Sequence, residues 1–217
     1  MVMRKWWGTA TAAALLLTGC GGGAEADNAS DDKAAVLSED EVRDVLPDDE
    51  AMPGWKQSAR PTAVAMNDLY RREACPIKGN AGCEESRFFG ASAFRHDETA
   101  AYVSFLAVAY DSEAAAERAY DVLWDGYYGK KAGPRARTLE LGPLGDERDA
   151  RFGTSGLNGE PGAVTQTRVG TALLWAEAAS AGKGGVDEDI VRDLATVLAD
   201  RSRQAQNGDA VSASLGG

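Results

Sequence analysis

Ala163-Val164-Thr165-Gln166-Thr167-Arg168-Val169, then Gly170-Thr171, then Ala172-Leu173-Leu174-Trp175-Ala176-Glu177-Ala178-Ala179 is the stretch that decides the fold. Two runs rich in β-branched and apolar residues flank a two-residue turn with Gly first, which is the chemistry of a tight hairpin. Antiparallel strands are predicted over 163–169 and 172–179. Upstream, 88–95 and 101–110 flank His96-Asp97-Glu98-Thr99 as a second hairpin. Tyr102, Ser104, Leu106, Val108 and Tyr110 share one face of 101–110, and Val103, Phe105, Ala107 and Ala109 share the other. Both faces being largely apolar marks a central strand.

Helices frame these hairpins. Ser38 and Glu41 form a capping box for a helix over 38–46, Leu37 can staple onto Val42, and Pro47 stops it. The loop that follows carries Asp48, Asp49, Glu50, Pro53 and Gly54 and ends on Trp55; a weak strand is predicted at 62–66. Asp111-Ser112 caps a helix running to Tyr128, with Ala116, Tyr120, Leu123 and Tyr127 at helical spacing. Strands at 137–141 and 148–153 come next, then a Gly-rich loop over 154–162. A last helix over 186–206 buries Ile190, Leu194 and Val197, with Asp187, Glu188 and Asp189 at its positive end and Arg201 and Arg203 at its negative end. Strands joined by tight turns and interrupted by helices imply an α+β fold: an antiparallel sheet of about five to six strands with helices packed on one face.

The N-terminus bears on location. Arg4 and Lys5 precede an apolar stretch over 6–17 that ends in Leu17-Thr18-Gly19-Cys20. A basic pair, about a dozen apolar residues and small residues before a cut make a secretory signal, too short to span a bilayer core. Leu17-Thr18-Gly19-Cys20 resembles the lipobox of bacterial prolipoproteins. That resemblance implies cleavage before Cys20, a diacylglycerol on its thiol and anchoring to the outer face of the cell membrane. The expected organisation is a signal peptide over 1–19, an acidic lipid-anchored tether over 20–36, one extracytoplasmic domain over 37–207 and a disordered tail over 208–217.

Charge excludes one class of partner. The chain carries −11, and loss of residues 1–19 removes Arg4, Lys5 and no acidic residue, giving −13. Such a surface does not neutralise phosphates, so nucleic acid is not expected as a partner.

With Cys20 lipidated, two of the three cysteines remain. Cys75 and Cys83 bracket Pro76, Gly79, Asn80 and Gly82, turn formers that let the chain double back into a disulfide. A metal site needs more Cys or His than this, and the single His is His96; neither metal nor cofactor is expected.

Catalytic constellations are scarce. His96 falls at a hairpin tip, Gly153-Thr154-Ser155-Gly156 lacks nucleophile-elbow spacing, and Gly182-Lys183-Gly184-Gly185 lacks the phosphate-loop pattern. No catalytic residue is assigned. Asp48-Asp49-Glu50 offers weak cation contact without a calcium-loop pattern. Glu113, Glu117, Asp121 and Asp125 form an acidic row at i, i+4, read as a solvent face or as a docking ridge for a basic partner. Trp124, Tyr127 and Tyr128 beside Gly126 and Gly129 are candidates to line a groove.

Leu46-Pro47, Met52-Pro53-Gly54-Trp55, Cys75 with Cys83, the run from Val108 to Ala115, Leu144-Gly145-Asp146-Glu147 and Arg168-Val169-Gly170 together resemble lipoproteins of high-GC, Streptomyces-like actinobacteria. They are also distantly similar to the extracellular sensor-type domain of actinobacterial Ser/Thr protein kinases, over most of 40–200. Those domains usually carry two disulfides, and only one can form here. The resemblance implies a non-catalytic domain that binds an extracytoplasmic ligand or protein partner. The rival reading, a cell-envelope hydrolase or processing enzyme, requires convergent polar residues in a deep pocket.

Overall fold

A computed structural model describes residues 34–182 and 185–216. The signal peptide, Cys20, most of the tether and Lys183-Gly184 fall outside the described residues, and the expectations about them with it.

The capping box forms as its sequence dictates. Glu41 Oε2 accepts the Ser38 N–H at 2.7 Å, Ser38 Oγ accepts the Glu41 N–H at 3.4 Å, and α1 runs Glu39–Val45. Leu37 and Val42 are both buried in one core, as a hydrophobic staple requires. Strand β1 (Lys56–Ala65) follows, then α2 (Asp68–Ala74), β2 (Ser86–His96), β3 (Ala101–Tyr110) and α3 (Glu113–Gly126). Strands β4 (Arg137–Thr138), β5 (Glu147–Gly153), β6 (Gly162–Val169) and β7 (Ala172–Ser180) precede α4 (Glu188–Gln206). Gly170 takes φ +50° at the first turn position between β6 and β7, a left-handed conformation that costs glycine little.

All strand pairs are antiparallel, in the order β1-β2-β3-β7-β6-β5-β4. The sheet has seven strands rather than five to six. The additional pairing comes from its margins, where β1 shows no burial alternation and β4 is two residues long. Pro61 and two register irregularities interrupt β1, which lies at the sheet edge. Proline and bulges at an open edge discourage pairing with another chain.

Helices cover both faces, not one. On one side α1 and α4 pack against Val103, Phe105, Ala107, Leu174, Ala176 and Ala178. On the other, α3 and the disulfide loop pack against Phe89, Val108, Leu173 and Trp175. The cause is the two-faced apolarity of β3 and β7, which leaves neither side of the sheet centre suited to water.

The disulfide links Cys75 and Cys83, both buried. Its loop is held by buried tyrosines: the Tyr110 hydroxyl donates to the Gly82 carbonyl at 2.7 Å and the Tyr128 hydroxyl to the Ala74 carbonyl at 2.8 Å. Replacing both cysteines by serine is expected to cost about 2.5 kcal/mol from the loop entropy released in the unfolded chain. Urea unfolding with and without reductant checks this, since reductant should destabilise only the parent protein.

The segment expected to be a disordered tail packs back on the domain. Val211 and Leu215 lie against the α1–α4 core, the Leu215 N–H donates to the Ala51 carbonyl at 2.8 Å, and Gln204 Oε1 accepts the Ser212 N–H at 2.9 Å. Two isolated apolar residues in a polar sequence gave no periodic signal of this docking. The start of the domain also moves: Ala34 N–H donates to Glu113 Oε1 at 2.7 Å, and Thr171 Oγ1 donates to the Ala35 carbonyl at 3.0 Å. Ala34 and Ala35, expected to lie within the tether, thus contact the domain.

Candidate binding cleft

Helical periodicity turns Tyr120 toward the sheet and leaves Asp121 and Asp125 in solvent. Below Tyr120 lies β5, whose register sets Asp149 opposite Gln166 of β6, and Gln166 opposite Trp175 of β7. A polar chain crosses the second core at this level. The Trp175 indole N–H donates to Gln166 Oε1 at 2.7 Å, and Gln166 Nε2 donates to the Tyr120 carbonyl at 2.8 Å. The Tyr120 hydroxyl reaches two acceptors, Asp149 Oδ2 at 3.0 Å and the Gln166 carbonyl at 3.2 Å.

Strand β4 covers only one end of β5, so the other end opens into a cleft of about 450 Å³ lined by Tyr120, Asp121, Glu140, Glu147, Arg148 and Asp149, among others. Two acidic groups at its margin are already occupied. Asp146 accepts from Arg168 Nη1 at 3.1 Å and from the Gly170 N–H at 2.7 Å, and Glu147 pairs with Arg168. Asp149 is different. Burial raises its pKa, the Tyr120 hydroxyl opposes the rise, and the nearby charges of Asp121 and Asp125 add to it. The Tyr120 phenol is itself held well above its ordinary value, by burial first and by Asp149 next. The cleft is a concentration of negative potential without a full set of compensating cations.

The acidic row divides between roles. Asp121 and Asp125 stand over β5 and act on Asp149, and Asp121 lines the cleft. Glu117 is exposed, while Glu113 is half-buried and holds Ala34. The aromatic trio does not form the expected groove. Trp124 and Tyr128 are buried in the second core, and Tyr128 stacks on Trp175 with ring centroids 4.5 Å apart. Only Tyr127 is partly exposed, under the ammonium of Lys131. Helix α3 ends at Gly126, so Trp124 sits in its last turn, and Tyr127 and Tyr128 belong to the turn that follows.

His96 ends β2 and presents to Trp55 edge-on at 5.4 Å, with its Nδ1 buried and without a hydrogen-bond partner. Asp48 caps the Ala51 N–H at 3.0 Å, and Asp48, Asp49 and Glu50 line a broader cleft of about 730 Å³ beside Arg43, Arg60 and Arg201. Among the described residues no group of three or more His, Cys, Asp or Glu is arranged to hold a metal ion. No helix among them is long and apolar enough to cross a membrane.

Sequence reasoning missed Asp149, Gln166 and their link to Tyr120. Strand β5, Glu147-Arg148-Asp149-Ala150-Arg151-Phe152-Gly153, has charge on both faces and so gives no hint which carboxylate turns inward. Only the inward assignment of Tyr120, a phenol needing a partner when buried, pointed to a polar contact there.

The chain matches no protein-family model and no curated protein. Among solved structures it is similar to the extracellular domain of PknH from Mycobacterium tuberculosis, with a TM-score of 0.52 and 9% sequence identity. The alignment covers 81% of this chain and 100% of that one. At this identity the likeness establishes a shared fold.

Proposed function

We propose that this protein is a lipid-anchored, extracytoplasmic binding domain of sensor type, without catalytic activity, tethered to the membrane through Cys20. The observation that carries the reading is the fold likeness, which spans an entire extracellular domain. The lipobox-like Leu17-Thr18-Gly19-Cys20 and the sequence resemblance to sensor-type domains point the same way. Its partner-contacting surface is the cleft between α3 and β5, and the partner is cationic there. Asp121 and Asp125 raise the cost of ionising Asp149, and an arriving Lys or Arg relieves it. The chemistry of the cleft suits binding better than catalysis, because a phenol held well above neutrality stays protonated and is a poor base.

Two measurements test this. Cys20→Ala is expected to leave the membrane fraction or accumulate unprocessed while the domain keeps its thermal transition; retention at the membrane with normal signal removal would refute the anchor. A photo-crosslinking residue at Asp121 should capture an extracytoplasmic partner that the same residue at Glu39, exposed on α1, does not. Asp125→Lys should reduce that capture, and capture indifferent to the charge reversal counts against the cleft.

A further inference from the structure

The Tyr120 hydroxyl is contested when Asp149 is ionised: its hydrogen bond to the carboxylate favours the charge, while the Gln166 carbonyl competes for the same proton. A phenol has one proton to donate, and the Tyr120 hydroxyl faces two acceptors, the Asp149 carboxylate and the Gln166 carbonyl. Donation to either leaves the other with one partner fewer. A proton on Asp149 resolves the conflict: the carboxylic acid donates to the Tyr120 oxygen, and the phenol is then free to donate to Gln166. Burial makes this geometry consequential, because Tyr120 is only 2% exposed and its hydroxyl is shared between these two acceptors rather than turned out to solvent.

The surrounding charges favour the same proton. From α3, Asp121 and Asp125 act on Asp149; on its own strand Arg151 opposes them. Glu147 is paired with Arg168 of β6, which also binds Asp146, and Glu140 and Arg148 lie at the cleft wall. Arg168 is thus committed to other carboxylates. Three carboxylates meet across the seam between helix and strand, and the arginine named on the same strand only partly offsets them.

We propose that Asp149 is a proton-responsive switch at the α3–β5 seam: on taking a proton from solvent it donates to Tyr120, turns the Tyr120 hydroxyl onto the Gln166 carbonyl and removes one negative charge from the cleft. Its consequence for binding rests on the cleft being the partner site proposed above; a cationic partner then binds more weakly as the medium acidifies. The switch itself is independent of any partner. Because the folded state holds the Asp149 proton more tightly than the ordinary aspartate value of 3.8 allows, its contribution to stability is complete below that pH. That contribution is lost as pH rises through the folded midpoint.

Carboxyl-carbon NMR titration of the full chain, with its disulfide intact, reads Asp149 directly. The expected result is a midpoint above 3.8 that falls when Asp121, exposed on α3, is replaced in Asp121→Asn. Asp149→Asn should raise Tm at pH 7, since the amide donates to Tyr120 without charge, and the gain should close as pH falls below the Asp149 midpoint. A midpoint at or below 3.8, one unmoved by Asp121→Asn, or an Asp149→Asn protein no more stable at pH 7 overturns the proposal. None of these readouts involves a partner, so a failed capture experiment and a failed switch are separate results.

Discussion

Trp175→Ala is expected to cost the domain about 4 kcal/mol, the cost typical of deleting a fully buried indole. Trp175 is completely buried on β7, stacks on Tyr128 and lies at the centre of the α3-side core. Its loss opens a cavity under α3 and strips Gln166 Oε1 of the indole N–H it accepts. Trp175→Phe weighs the two effects: it keeps one six-membered ring for packing and removes the donor with the rest of the pyrrole, with an expected loss of about 2 kcal/mol, chiefly from the unpaired amide oxygen. Urea unfolding followed by circular dichroism measures both. Domains of this kind are stable by about 5–15 kcal/mol, so the alanine variant should also express poorly at 37 °C. Equal losses for the two variants would mean that the six-membered ring kept by phenylalanine contributes nothing to stability.

Arg201→Ala has the second large expected effect, about 3 kcal/mol. The residue is buried on α4, and its guanidinium fork donates to the carbonyls of Asp44 at 2.8 Å, Val45 at 3.1 Å and Leu46 at 3.4 Å, and to that of Ala213 at 3.1 Å. These are the free carbonyls at the end of α1 together with one from the docked C-terminal segment. A helix end buried without donors is costly, and one side chain satisfies most of this one. Burial lowers the pKa of Arg201, while Asp48 and Asp44 act against that. Lysine has no planar fork and reaches fewer of these acceptors, so Arg201→Lys should recover only part of the loss. Hydrogen exchange should quicken in α1 and over 208–216 in the alanine variant. Unchanged exchange in 208–216 would show that Val211, Leu215 and the hydrogen bonds to Gln204 and Ala51 hold the segment without Arg201.

The parts of the fold legible in sequence were those with strong local chemistry. The β6–β7 turn was marked by Gly170-Thr171, α1 by Ser38 and Glu41, and β3 by its exact run from Ala101 to Tyr110. What escaped depends on tertiary contact. Helix α2 buries only Ala74, so it has no apolar stripe to read. Strand β1 is held by pairing to β2 rather than by an alternating pattern. Helices on both faces were foreshadowed by β3, whose two apolar faces each need cover, yet the sequence alone did not say which helix goes where. At the candidate site, Asp121 and Asp125 were visible as part of a periodic row. Asp149 was not, because its significance comes from the register of β5 on β6 and from a tyrosine 29 residues away. The Trp124–Tyr127–Tyr128 groove did not form for the converse reason: aromatics next to glycines looked accessible, but Trp124 is buried in the last turn of α3 and the turn after it stacks Tyr128 on Trp175.

The strand order has a kinetic consequence. Strands β1-β2-β3 and β4-β5-β6-β7 are two meanders, each consecutive in the chain, and they meet along a single line where β3 pairs with β7 from Ala101–Ser180 to Ala109–Ala172. Each half pairs strands that follow one another in the chain, whereas their meeting closes a longer stretch of chain and also completes both cores. Such closure is the slow event in antiparallel topologies. A chain folding from the unfolded state would thus pass through a stage in which two half-sheets expose apolar edges to each other. Trp175, opposite Leu106 on that line, is placed to report by its fluorescence the moment they join.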